Sequence, residues 1–217
     1  MAFSSVLGAS SVIKPGVVTT ATRPSSPFVG QMIYDTTLSQ VLAYNGSAWI
    51  VQSGGLVRVY DAALSSTSVT ADGIFTSAYS NYLLLMRYTT TGNNSISARL
   101  RASGTSNSSA NYNQQSLSAV TTLPASALIS SDTYIQFCTA SNGDYKSSCV
   151  VNLFSPAVAE PTNFQITNNP SFTGYTAVRL YSWMGNHSVA TAYDGIELFC
   201  AGTMAGTFAV YGYAKTV

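Results

Sequence analysis

Short strand-like runs cut by Ser, Asn and Gly clusters fill this 217-residue chain, and no stretch longer than about ten residues keeps a helical period. Ile96-Ser97-Ala98-Arg99-Leu100-Arg101 alternates apolar with polar, as a strand with one face on a core and one outward must. Comparable runs cover Leu56 to Tyr60, Tyr82 to Tyr88, Thr133 to Cys138, Cys149 to Phe154, Ala177 to Trp183, Gly195 to Cys200 and Thr207 to Tyr213. In the last of these Phe208 and Val210 share one face and two tyrosines the other, so both faces read as covered. The best helical candidate, Pro124 to Ser131, is one or two turns at most. Even strand spacing with polar loops predicts an all-β chain: a jelly-roll-like β-sandwich over residues 55–217.

Two smaller segments precede it. In residues 1–29, Lys14-Pro15-Gly16 and Arg23-Pro24-Ser25-Ser26-Pro27 forbid a continuous helix, and large apolar residues are too few for a core. The sequence predicts an extended arm that orders against a neighbour. In residues 30–54, Gln31 to Asp35, Gln40 to Tyr44 and Ala48 to Val51 read as a three-stranded β-meander. Asn45-Gly46 supplies the positive φ of a tight hairpin, and Ser53-Gly54-Gly55 makes a joint.

Charged residues are only 8% of the chain, against about a quarter in ordinary soluble domains. Ser, Thr, Asn, Gly and Tyr take their place, and such a neutral surface suits association with other subunits. The net charge is +1, with nine Lys and Arg scattered and no basic stripe, which argues against nucleic acid as a partner. No apolar run approaches the roughly 20 residues of a membrane span, and Met-Ala-Phe-Ser-Ser lacks the features of a secretory signal. The expectation is a protein made in the cytoplasm and not inserted in a membrane.

Chemistry-bearing residues are sparse. Cys138, Cys149 and Cys200 have no metal-ligand spacing, so neither metal nor cofactor is expected. Cys138 and Cys149 flank the turn at 141–144 and could face each other across a hairpin, although buried free thiols are the simpler reading. A Ser, His and Asp triad would have to use the one histidine, His187, which reads as part of the loop Met184 to Ser188. The eight carboxylates sit beside turns, as in Ala71-Asp72-Gly73 and Tyr193-Asp194-Gly195, where capping roles are expected. No catalytic residue is assigned. For ligand contact the sequence offers aromatic or imidazole side chains in polar surroundings: Tyr112, Tyr145, Tyr175 and His187. Subunit packing is the competing role for each. Trp49 and Trp183 lie on expected strands and read as core or interface residues.

The segment Thr22-Arg23-Pro24-Ser25-Ser26-Pro27-Phe28-Val29-Gly30-Gln31-Met32-Ile33-Tyr34-Asp35, followed by Val41-Leu42-Ala43-Tyr44-Asn45-Gly46-Ser47-Ala48-Trp49, resembles a module of tailed-bacteriophage tail fibres and virion structural proteins. Stretches such as Phe75 to Tyr82, Arg99 to Thr105 and Gly206 to Tyr213 resemble the β-sandwich that follows it in cyanophage-type proteins. The resemblance implies a virion component, usually a homotrimer, held to other virion proteins by its N-terminal arm. Its outward sandwich would contact a host surface glycan or protein. A capsid decoration or cement protein, or a head fibre, is the alternative. A glycan depolymerase would need two carboxylates facing across a sugar.

Overall fold

The computed structural model describes residues 15–51, 55–119, 123–139, 141, 146–171 and 179–214. They fall into two compact units, with the division between Gly54 and Gly55.

The N-terminal unit is a four-stranded sheet in the order β1-β2-β3-β4, built from Gly16–Val18, Met32–Asp35, Gln40–Tyr44 and Trp49–Val51. The last three strands are the meander expected from the sequence. Gly46, at φ 105°, makes the β3–β4 turn, and Asn45 Oδ1 accepts hydrogen bonds from the backbone N–H groups of Ser47 (2.9 Å) and Ala48 (2.8 Å). The first strand corrects the extended-arm reading from Gly16 onward. It pairs in parallel with β2, and residues 19–31 are about the dozen that a parallel crossover needs. Val18 packs on the small core of Ile33, Leu42 and Trp49, so this part of the arm finds its apolar partner inside its own unit. Residues 1–14, the rest of the expected arm, lie outside the described residues.

The crossover is pinned by one carboxylate. Asp35 is fully buried and accepts hydrogen bonds from Arg23 Nε (2.8 Å), the Thr20 hydroxyl (3.0 Å) and the backbone N–H groups of Thr37 (2.9 Å) and Leu38 (3.2 Å). Burial pushes the pKa of this carboxyl up, and the bonds from Arg23, Leu38, Thr20 and Thr37 outweigh that push and bring it below the ordinary aspartate value.

The larger unit is a sandwich. One sheet has eight strands in the order β11-β10-β15-β14-β13-β7-β17-β5, and the other runs β12-β8-β16-β6 with β9 on β8. In chain order these are β5 (Leu56–Leu64), β6 (Ser68–Ala71), β7 (Tyr79–Thr90), β8 (Ile96–Ala102), β9 (Thr105–Ser106) and β10 (Tyr112–Ala119). Then follow β11 (Pro124–Asp132), β12 (Ile135–Cys138), β13 (Ser147–Phe154), β14 (Thr162–Asn169), β15 (Leu180–His187), β16 (Gly195–Phe199) and β17 (Met204–Ala214). The pairings β5·β17, β6·β16, β7·β13, β8·β12 and β10·β11 are all antiparallel and nest like the two arms of one long hairpin. Successive nested pairs alternate between the two sheets, which is the winding of a jelly roll. The hairpin β14–β15 is inserted between β13 and β10 and widens the larger sheet.

Strict alternation fills the space between the sheets. Cys149, Val151 and Leu153 of β13, Phe164 and Ile166 of β14, Leu84 and Met86 of β7, and Phe208 and Val210 of β17 all point inward. The opposite side of β17 is not covered as expected, since Thr207 is exposed and Tyr213 is 38% exposed. Pro124 to Ser131 is strand rather than helix, because its pairing with β10 gives backbone partners that an isolated helical turn lacks.

Asn168 closes one end of the core. Its Nδ2 donates to the Tyr88 hydroxyl (2.9 Å) and the Ser148 carbonyl (2.8 Å), and its Oδ1 accepts from the N–H (3.0 Å) and hydroxyl (2.9 Å) of Thr139. Cys138, Cys149 and Cys200 are free and buried. Cys138 and Cys149 stand on strands of opposite sheets rather than across a hairpin, and the Cys149 thiol donates to the Phe137 carbonyl at 3.3 Å.

Candidate functional site

Two of the four ligand-contact candidates, Tyr112 and His187, are not loop residues. Both are fully buried, Tyr112 as the first residue of β10 and His187 as the last of β15, directly across from it. The Tyr112 hydroxyl accepts from the Leu100 N–H (3.1 Å) and donates to the Asn107 carbonyl (2.9 Å). The His187 ring lies edge-on between Tyr112 and Tyr193, with Nδ1 3.1 Å from the Tyr193 hydroxyl. Burial lowers the His187 pKa below the ordinary histidine value and raises those of the Tyr112 and Tyr193 hydroxyls. These side chains tie β10 and β15 to the opposite sheet, and none presents a surface on which a ligand could stack. Tyr145 and Tyr175 lie outside the described residues.

The reason for the misplacement is visible in the alternation. Tyr181, Trp183, Gly185 and His187 occupy every second position of β15, with Trp183 buried and stacked on Tyr181, so His187 continues the inward set. Gly185 carries the period invisibly: a Cβ there would sit 2.0 Å from the Asn113 carbonyl oxygen and 2.7 Å from the Phe164 ring.

Three further carboxylates are engaged structurally. Asp72 accepts from Arg101 Nε at 2.6 Å, and this hydrogen bond lowers its pKa. Asp194 accepts from the Ser103 N–H at 3.1 Å, and Glu197 lies 4.0 Å from Arg99. Among the described residues no three His, Cys, Asp or Glu side chains gather as a metal site would need.

The surface that stands out is the outward face of the larger sheet at its β11 side. Strand register aligns its residues in rows. Leu128, Gln115, Met184, Gln165 and Asn152 form one row across β11, β10, β15, β14 and β13. Ser126, Leu117, Ser182, Thr167 and Val150 form the next, and Asn113, Asn186, Asn163 and Phe154 a third. None of these residues is charged, over an area of about 20 by 20 Å on strand spacing and rise. Leu117, Leu128 and Met184 are more than half exposed, and the Asn113 amide donates to Asn186 Oδ1 at 3.2 Å. Two adjoining shallow depressions of 340 and 360 Å³ lie here, one around Leu117, Ser126 and Ser182 and the other around Leu128, Asn163 and Asn186, with Gln115 and Met184 common to both. Such a face offers neutral amide and hydroxyl groups between apolar contacts. It matches a neutral partner, a glycan or an uncharged protein surface, better than an ionic one. The sequence signal was present in part, since Phe164 and Ile166 alternate with polar residues in β14, whereas the inward Gln114 of β10 hid that strand.

No protein-family model matches this chain, and neither the curated proteins nor the solved structures contain a match.

Proposed function

We propose that this chain is a non-enzymatic structural subunit on the surface of a tailed-bacteriophage particle, a fibre or short appendage. Its N-terminal unit attaches it to other virion proteins, and its jelly roll is presented outward for contact. The observation that carries this reading is the uncharged, amide-rich and partly apolar outer face of a jelly-roll sandwich, a surface made for contact rather than for turnover. The resemblance of residues 22–35 and 41–49 to a phage virion module supports the setting. The residues that carry it are those that hold the unit together: Arg23 and Asp35 form the buried ion pair, Asn45-Gly46 the turn, and Ile33, Leu42 and Trp49 the core.

The test is immuno-electron microscopy of particles from the host-phage system that encodes the chain. Label at the tail is expected. Label on capsid faces would replace this reading with a decoration or cement role, and particles without label would overturn a virion role altogether.

A further inference from the structure

The two depressions on the outward face of the larger sheet are lined by primary amides around apolar contacts. Asn113, Asn186 and Asn163 stand side by side on β10, β15 and β14, about 5 Å apart from strand to strand. Gln115 is the next outward residue of β10, with Leu128 opposite it on one side and Met184 on the other. A bulge in β11 fixes the sense of these amides. The pairing with β10 shifts between Tyr112 and Gln114, and Ser131, at φ 56° and skipped by the pairing, gives its N–H to Asn113 Oδ1 at 3.1 Å. A backbone N–H can be met only by the amide oxygen, so Asn113 Nδ2 is turned to Asn186, where it donates to Oδ1 at 3.2 Å. Asn186 Nδ2 is thereby left to donate outward. Among the described residues the Asn163 and Gln115 side chains are exposed and make no hydrogen bond within the protein.

We infer that this amide row is a binding site for an uncharged glycan, an inference that rests on the reading of this face as a contact surface. No residue of the three rows is charged, so nothing there balances a carboxylate, sulfate or phosphate, and a neutral ligand is the complement. Each primary amide offers two donors and an acceptor, and neighbouring sugar hydroxyls, each both donor and acceptor, answer that set. Leu128 and Met184, 74% and 58% exposed, supply apolar area for the C–H side of a sugar ring. The depressions, 340 and 360 Å³, have the size of small-ligand sites and adjoin through Gln115 and Met184, so a chain of sugars can span both. A protein occupant is disfavoured by composition. Protein interfaces draw most of their affinity from Trp, Tyr and Arg anchors, and the three rows contain none.

The test is binding of the fluorescently labelled full chain to intact host cells. Binding is expected to survive protease treatment of the cells and to be lost after mild periodate, which cleaves vicinal diols. It should hold steady between about 50 and 500 mM NaCl, because no charge is neutralised. Asn163→Ala and Gln115→Ala remove exposed side chains without partners in the protein, so folding is unaffected, and each should weaken binding about 3- to 10-fold. Thr70→Ala, exposed on β6 of the smaller sheet, should leave it unchanged. Binding that protease removes and periodate spares would put a protein in place of the glycan. A steep fall with salt would mean an ionic ligand, unchanged affinity in both Asn163→Ala and Gln115→Ala would move the contact to another surface, and no binding to cells would deny the ligand altogether. Each of these results overturns the inference. None of them shifts the label in immuno-electron microscopy, so a failure here is distinct from a failure of the virion reading.

Discussion

Replacing Asp35 with Ala should unfold the N-terminal unit and leave the sandwich folded. The described part of the unit, 15–51, has 37 residues, and at about 0.05–0.15 kcal/mol per residue its stability is about 2–6 kcal/mol. Among the described residues its core holds three large buried side chains, Ile33, Leu42 and Trp49, so there is little to offset a loss. The Ala variant strands Arg23, which is only 19% exposed, without its carboxylate, and such a break in a buried pair costs about 3–5 kcal/mol. It also removes the acceptor for the Thr37 and Leu38 N–H groups, at about 1 kcal/mol or more each. The loss equals or exceeds the total. Asp35→Asn keeps one oxygen for those N–H groups and should cost less. Hydrogen-exchange mass spectrometry reads both units in one experiment. Peptides from 32–51 should lose protection in Asp35→Ala, and to a smaller extent in Asp35→Asn, while those from 79–90 stay as in the wild type. Unchanged protection of 32–51 in Asp35→Ala would refute the claim that this carboxylate holds the crossover.

Asn168→Leu removes four hydrogen bonds inside the core and takes the acceptor from the Thr139 N–H and hydroxyl. At about 1–3 kcal/mol for each stranded group it should lower Tm by roughly 6–15 °C in differential scanning calorimetry. Gly185→Ala drives a methyl into the Asn113 carbonyl, and soluble yield should fall sharply, whereas the exposed Met184→Ala next to it should be neutral. The pH dependence should have two parts. The depressed His187 pKa means the unfolded chain takes up a proton below about 6.5 that the folded chain resists, so stability is full above that pH and declines as pH falls through the folded value. Thermal melts of His187→Asn should lose that dependence between pH 7 and 5. The depressed Asp35 pKa stabilises the N-terminal unit above the ordinary aspartate value, and this contribution disappears as pH drops below it through the folded value.

What could be read from the sequence depended on whether a strand's inward residues are apolar. In β8, β13 and β17 the alternation of large apolar with other residues was sufficient, and the expected strands match the observed ones closely. In β10 the inward positions are Tyr112, Gln114 and Ser116, so a hydrophobic period is absent and Tyr112 looked like a loop residue. Gln114 is 2% exposed and accepts the Gln136 N–H at 3.2 Å, so a polar side chain fills a core position by hydrogen bonding across the sheets. β11 failed for the opposite reason: little of it is buried on either face, so its sequence is free to look helical, and only its pairing with β10 decides the conformation. The N-terminal strand β1 has three residues and is fixed by a long-range parallel partner, which no local pattern announces.

The scarcity of charge acquires a location once the strands are in register. The chain has nine basic and eight acidic residues, and among the described ones Arg23 pairs with Asp35, Arg58 with Asp61, Arg99 with Glu197 and Arg101 with Asp72. Going across the outer face of the larger sheet from β11, the outward positions paired between β13 and β7 first meet a charge at Arg87, opposite Ser148. A sheet face that only had to stay soluble would carry Lys and Glu at many outward positions, where they cost nothing in packing. Here those positions hold Asn, Gln, Ser and Thr with Leu and Met among them. Such a face is what a contact surface requires: it supplies uncharged area, with amide and hydroxyl groups in place of a charged shell.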